Sequence, residues 1–430
     1  MNFSLVCTRV FRFFQKRKNK YAKDSFFAGL LLLFEKKSDI LILYERNFER
    51  NFEMDILTVL NWIFACFMIL ATLDRIFGNR FGVGKEMEKG VMLLGTMTIS
   101  MVGMIVLAPV IANLLMPLLT PLQKYLHLEP SVIMGSLLAN DMGGAPLAKE
   151  VASSEVSGYF NGLVVASMLG ATVSFTIPLA LGVIDKSRHK DVALGMLCGI
   201  ITIPVGCLVS GLMLKMTFAE LALNLIPLII FSGLIALGLA LAPNGCVKVF
   251  TIFGKGVQIL VAVGLAVGIF FKLTGITLIP GIADFDGEGM KTVVNACVVM
   301  TGAFPLVYIL SKILQKPLVV LGKLIGINAT SAMGLISCLA TNVTTINMVS
   351  DMDKKGVVLN MSFAVSGAFV FAGHLAYTMS FNGAYLIPVI VGKLVAGVSA
   401  VILANFVYNK MARSEKTEEV SAEAEAAAAK

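Results

Sequence analysis

The sequence predicts an all-α polytopic membrane protein, with about nine transmembrane helices and two re-entrant or broken-helix hairpins in an inverted repeat. Three observations carry this reading. Of 430 residues, 57% are apolar and only 14% charged, against about 25% charged in soluble chains. Several windows of about 20 residues, the length a helix needs to cross the hydrocarbon core, contain no Lys, Arg, Asp or Glu. Two more apolar stretches, Ser131–Glu150 and Ser331–Val349, are interrupted by polar residues, the first also by Gly143-Gly144 and Pro146.

Taken in order, residues 1–53 stand apart. They hold eleven Lys/Arg against six Asp/Glu, and their apolar stretch Phe26–Phe34 is too short to span a bilayer. They read as a poorly ordered basic extension or a mis-assigned start, with Met54 opening the membrane domain, 54–410. Its spans read as Asp55–Leu73, Val91–Met116, Gly158–Ile184, Val192–Leu214, Ala219–Leu241, Gly256–Leu273, Thr292–Leu310, Val357–Met379 and Tyr385–Val407. Residues 411–430, rich in Ala and Glu without an apolar face, read as a disordered cytoplasmic tail.

Loop charge decides how the interrupted stretches run. If both cross fully, there are eleven spans, and the Lys186–Lys190 loop falls outside, against the tendency of basic loops to stay in the cytoplasm. If both are re-entrant, the basic clusters at 75–89, 186–190, 248–255, 312–323, 354–355 and 410–416 all lie inside, and acidic Asp284–Glu288 lies outside. The re-entrant arrangement fits better. It makes halves of about 55–214 and 256–407 mirror images, linked by the span at 219–241. Ser136–Asp141 can then be laid on Ser337–Asn342, and Asn161 and Ser167 on Asn360 and Ser366. In inverted repeats the binding site lies near the midplane, where paired broken segments meet.

The first break supplies Asn140, Asp141, Gly143 and Gly144. A charge at membrane depth costs a few kcal/mol or more, so Asp141 is a candidate to receive a cationic substrate; the plainer alternative is an Asp neutralised by Lys149. The second break supplies Thr341, Asn342, Thr344 and Thr345, which could complete a site or satisfy freed backbone groups. Asn161 and Asn360 join the substrate candidates by symmetry. Lys149, Glu150 and His374 are candidates for ion or proton coupling, each with a structural alternative, an interfacial pair for the first two and a packing histidine for the last. Gly195/Gly199 and Gly264/Gly268 fit close helix packing.

No phosphate loop, HExxH, nucleophile elbow or metal-ligand spacing is present. The chain is therefore expected to be no enzyme, and to use no cofactor, no metal and no nucleic-acid partner. The seven scattered cysteines read as small core residues.

Leu137–Val151 (LLANDMGGAPLAKEV), Ala193–Gly211, Gln315–Ile327 (QKPLVVLGKLIGI), Leu339–Asn342 and Ile390–Leu394 (IVGKL) resemble the bacterial ethanolamine permease family, the EutH proteins of ethanolamine utilisation. The resemblance covers roughly 54–410. It implies a carrier in the bacterial inner membrane, moving ethanolamine inward for a cytoplasmic ammonia-lyase pathway. The two hairpin-bearing halves are expected to work by alternating access and facilitated diffusion, and the loop charges put the C-terminus in the cytoplasm. In the family's pattern an acidic residue can precede the equivalent of His374; here it is Gly373, which weakens a proton-relay role. The expected partners are ethanolamine, the lipid bilayer and a further copy of the chain. The alternatives are a proton- or sodium-coupled transporter of another small amine, amino acid or nucleoside, and a membrane sensor that binds without transporting.

Overall fold

The fold is described by a computed structural model covering residues 56–428 apart from His127, and these residues include no β-strand. The extension read at 1–53 lies outside the described residues. From Leu60 onward the chain forms one compact unit.

Helix α1 (Ile56–Ile76) is followed by α2 (Val83–Met97), which passes through a π-helical stretch, Thr98–Val102, into α3 (Gly103–Leu126). The turn between α1 and α2 is closed by buried Asp74. Its carboxylate accepts from the backbone N–H groups of Phe81, Val83 and Gly84 at 2.9–3.0 Å, supplying partners that the first turn of α2 lacks. The first hairpin is α4 (Pro130–Leu137), a 3-10 turn at Asn140–Met142 and α5 (Gly144–Val151). Glu129 caps α4 by accepting from Ser131, and Pro130 at the first turn has the φ a helix start needs. α6 (Glu155–Tyr159) continues through π-helical turns, Phe160–Gly170 and Thr172–Thr176, into α7 (Ile177–Val183). Then come α8 (His189–Met213), α9 (Phe218–Leu241), α10 (Pro243–Thr274) and α11 (Met290–Ile325). The second hairpin is α12 (Ala329–Ala340) and α13 (Asn342–Asn347), followed by α14 (Lys354–Gly367), α15 (Gly373–Asn382) and α16 (Leu386–Ala428). α16 carries the helix on through the Ala/Glu-rich stretch, whose residues are strong helix formers.

Among the described residues, eight helices are long and apolar enough to cross a membrane. One of the nine expected spans, Val357–Met379, is not continuous. α14 stops at Gly367, and Phe369 takes a left-handed φ of 60°. The backbone N–H groups of Phe369 and Phe371 then donate across to the carbonyls of Cys338 and Leu339 at 3.1 Å each. Hydrogen bonds lost from the helix are replaced by bonds to the second hairpin. Hydropathy misses such a break because Ala368–Ala372 is itself apolar.

Close packing follows the glycines. A Cβ on Gly103 would lie 2.0 Å from the Val261 carbonyl, and one on Gly264 would lie 2.0 Å from the Gly103 carbonyl, so α3 and α10 touch backbone to backbone. Gly195 and Gly199 likewise bring α8 onto α14 at Val358 and Ser362. α16 completes this second pack by lying along both α8 and α14.

Helix α11 orients the hairpins. Its 36 residues measure about 54 Å at 1.5 Å per residue. Lys149, at the open end of the first hairpin, pairs with Glu288 just before α11 begins. Lys355, just beyond the second hairpin, donates to the carbonyl of Ile325, where α11 ends. The two hairpins therefore enter from opposite ends of the bundle. Loop contacts join segments of like expected sidedness: Arg188 donates to the Met352 carbonyl, and Lys272 pairs with Asp286.

Candidate functional site

Three acidic residues in and beside the membrane segments behave differently. Asp74 is consumed by capping. Glu129 accepts from Ser131 and Ser153, closing the base of the first hairpin. The Asp141 carboxylate, among the described residues, accepts only from its own backbone N–H. It is partly exposed, between fully buried Asn140 and buried Gly143. Leu138 and Ala139 are extended and Gly143 has φ 106°, so the chain turns inside the bundle with its α-helical bonding broken. The turn is held by Ala139 N–H donating to Ser174 Oγ and Gly144 N–H donating to the Ala139 carbonyl. Gly144 is needed for close approach, since a Cβ there would lie 2.4 Å from the Leu138 carbonyl.

The buried cation that acts on Asp141 comes from far along the chain. Lys393 on α16 is fully buried and donates from Nζ to the Ser167 carbonyl at 2.5 Å. It lies in electrostatic reach of Asp141, of Cys338 on α12 and of Cys207 on α8. His374 also lies within reach of Lys393, and the Tyr377 hydroxyl within reach of Asp141. Lys393 thus collects the tip of the first hairpin, the end of α12 and the start of α15 around one ammonium. It lies within the expected span Tyr385–Val407, and the depth rule that points to Asp141 applies equally to it.

The remaining candidates separate. Asn342 is buried at the second break, where its Nδ2 donates to Thr176 Oγ1 at 2.9 Å and its Oδ1 has no protein partner. Thr341 caps α13, and Thr345 donates to the Gly334 carbonyl at 2.9 Å, tying the arms of the second hairpin. Thr344 is exposed. Asn161 and Asn360 play matching roles at the hairpin bases. Asn161 Nδ2 donates to Ser131 Oγ and Asn224 Oδ1, while Asn360 Nδ2 donates to the carbonyls of Ser331 and Gly356. Lys149 and Glu150 are exposed at the open end of the first hairpin, and the carboxylate near Lys149 is Glu288, not Asp141. His374 is buried with its ring 5.1 Å from that of Phe369 and its Nδ1 unpartnered by protein.

Both amide atoms of Asn140 and the hydroxyls of Ser136 and Ser366 are likewise buried without a protein partner. Burying one such group unpaired costs about 1–3 kcal/mol. Several of these unpaired groups lie on the segments bordering the two breaks. Among the described residues no group of His, Cys, Asp or Glu is placed to hold a metal ion.

Eight helices able to cross a membrane, together with two broken hairpins carrying ionisable groups, define a multi-pass membrane protein. Comparison with known proteins narrows the class. The chain belongs to the family described as ethanolamine utilisation protein EutH, whose model matches residues 56–407. It is 44% identical over 369 residues to a Listeria monocytogenes protein named probable ethanolamine permease EutH, covering 86% of this chain and 99% of that one. It is 38% identical over 410 residues to the Salmonella typhimurium protein of the same name, covering 87% and 100%. A Bacillus subtilis relative, the uncharacterized protein YxeR, is 36% identical over 339 residues, covering 79% and 91%. No solved structure matches the chain.

Proposed function

We propose that this protein carries ethanolamine across the bacterial inner membrane into the cytoplasm, by alternating access around Asp141 and with its C-terminus on the cytoplasmic side. The single observation that carries the reading is the Asp141 carboxylate, which among the described residues receives no hydrogen bond from any other residue, at a break inside the bundle and in electrostatic reach of a buried ammonium. Ethanolamine is a primary amine, protonated near neutral pH much as a lysine head is. Its cation crosses lipid poorly, so a carrier matters most at low external pH. Asp141 takes the ammonium, and Asn140 and Asn342 offer amide groups to the hydroxyl. The relatives named as ethanolamine permeases support the choice of substrate. In this reading the halves 55–214 and 256–407 are inverted repeats, and their hairpins open the site in turn to either side.

The test is uptake of radiolabelled ethanolamine into proteoliposomes at pH about 5.5, where the cation dominates. Saturable uptake toward equilibrium that Asp141→Asn reduces at least tenfold is the expected result. Unchanged uptake in Asp141→Asn removes Asp141 from the site. Lys393 in reach of both Asp141 and His374 favours one second reading, coupling to protons. Accumulation that collapses with the proton gradient would select it over facilitated diffusion.

A further inference from the structure

The polar cluster at the open end of the first hairpin has no part in the mechanism so far. Lys149, in the last turn of α5, places its ammonium 5.8 Å from the centre of the Tyr159 ring and 5.9 Å from that of Phe381. Glu288 Oε2 lies 3.9 Å away. A primary ammonium thus sits against two aromatic rings and a carboxylate, contributed by α6, α15 and the segment before α11. The rings are braced. Tyr159 and Phe381 meet edge to face at 6.0 Å, Tyr385 lies 5.3 Å from Tyr159, and Tyr377 stacks on Phe381 at 5.4 Å with 17° between the planes. Two adjoining cavities, about 280 and 210 Å³, are both lined by Lys149, Glu288, Thr292 and Phe381. With roughly 30 Å³ of liquid per water, either has room for a cation of four heavy atoms. Asn295 and Ser380 on the wall of the smaller cavity offer partners to a hydroxyl.

We infer that Tyr159, Phe381 and Glu288 form an outer binding site for small primary ammonium ions, in which the Lys149 ammonium is a tethered occupant that the incoming ion displaces. The inference rests on the reading of the protein as a carrier of protonated ethanolamine. Two arguments give the cluster this role over a structural one. First, the Lys149–Glu288 pair is long, with side chains 38% and 82% exposed, and exposed pairs contribute about 0–1 kcal/mol. It adds little to stability and is easily exchanged. Second, the aromatic seat is packed onto a residue in reach of the inner carboxylate. His374, Tyr377 and Phe381 lie on one face of α15 at helical spacing, and Tyr377, stacked on Phe381, is in reach of Asp141. Aromatic faces attract a cation without holding it as a buried carboxylate does, which suits a recruiting site.

The test compares ethanolamine uptake in proteoliposomes with binding of radiolabelled methylammonium to the purified protein. Lys149→Met removes the tethered competitor and is expected to lower the KM for ethanolamine about threefold or more and to tighten methylammonium binding. Phe381→Leu and Glu288→Gln are expected to raise KM about fivefold, the size of one cation–π contact, with the maximal rate kept. Because Phe381 is packed and its variant could misfold, the gain in the exposed Lys149→Met variant is the deciding measurement. Ethanolamine uptake with KM unmoved in Lys149→Met and Glu288→Gln overturns the outer site and leaves the carrier intact. Methylammonium binding that responds to these variants, in a protein that carries no ethanolamine, keeps the site and removes the substrate assignment.

Discussion

Asp141 and Lys393 come from distant parts of the chain and lie within electrostatic reach of each other inside the bundle. The two charges attract without direct contact, so removing Lys393 leaves the Asp141 carboxylate less compensated and the Ser167 carbonyl without its donor. Lys393→Met should therefore lower the thermal unfolding midpoint in detergent by several degrees and abolish uptake. Asp141→Asn/Lys393→Met should be more stable than the sum of the single effects, because neither charge is left alone. Strict additivity in the unfolding midpoints would show that the two do not interact. Asp141 was legible in the sequence because it stands beside Gly143-Gly144, a visible break. Lys393 carries no such mark. A lysine inside an apolar helix can also bend its long stem toward the interface, and only the packing of α16 against α8 and α14 directs its ammonium inward to the Ser167 carbonyl.

At the scale of the element, the hairpins depend on backbone that side chains cannot supply. Gly143 combines φ 106° with a Cβ position 2.2 Å from Met104 Cγ, so Gly143→Ala meets both a left-handed penalty of about 1–2 kcal/mol and a clash. It is expected to lose transport and to unfold earlier. Gly95, within α2, has nothing within 4 Å of an added Cβ. Gly95→Ala should raise stability by about 0.5–1 kcal/mol through helix propensity alone. Equal effects in thermal unfolding would contradict the geometry of the break. The first hairpin was visible from its glycines and proline, and the second from its run of Thr and Asn. The break at Ala368–Ala372 was not, because its only signature is the left-handed Phe369 and its bonds to Cys338 and Leu339. Thr341 and Thr345, which read as substrate ligands, are occupied in capping and tying the second hairpin, a use of hydroxyls that composition does not distinguish from ligand binding.

For the whole molecule, the entry of the hairpins from opposite ends makes a prediction about sidedness. In a background with Cys7, Cys66 and Cys246 replaced by Ser, a membrane-impermeant thiol reagent should label Glu288→Cys from outside intact cells. It should label Ser350→Cys, exposed beside the second hairpin, only after the membrane is opened. Labelling of both from the same side would sink the re-entrant topology. Membrane class and most of the crossings were set by the sequence alone, because a run of about 20 apolar residues must cross whatever its neighbours are. Charge along the loops likewise ordered the segments into two groups that the tertiary contacts respect. The partner of Asp141, the third break and the aromatic seat of Lys149 were decided only by the tertiary structure. Each joins residues far apart in the chain, and their approach depends on which helix faces pack together, which hydrophobic run length does not encode.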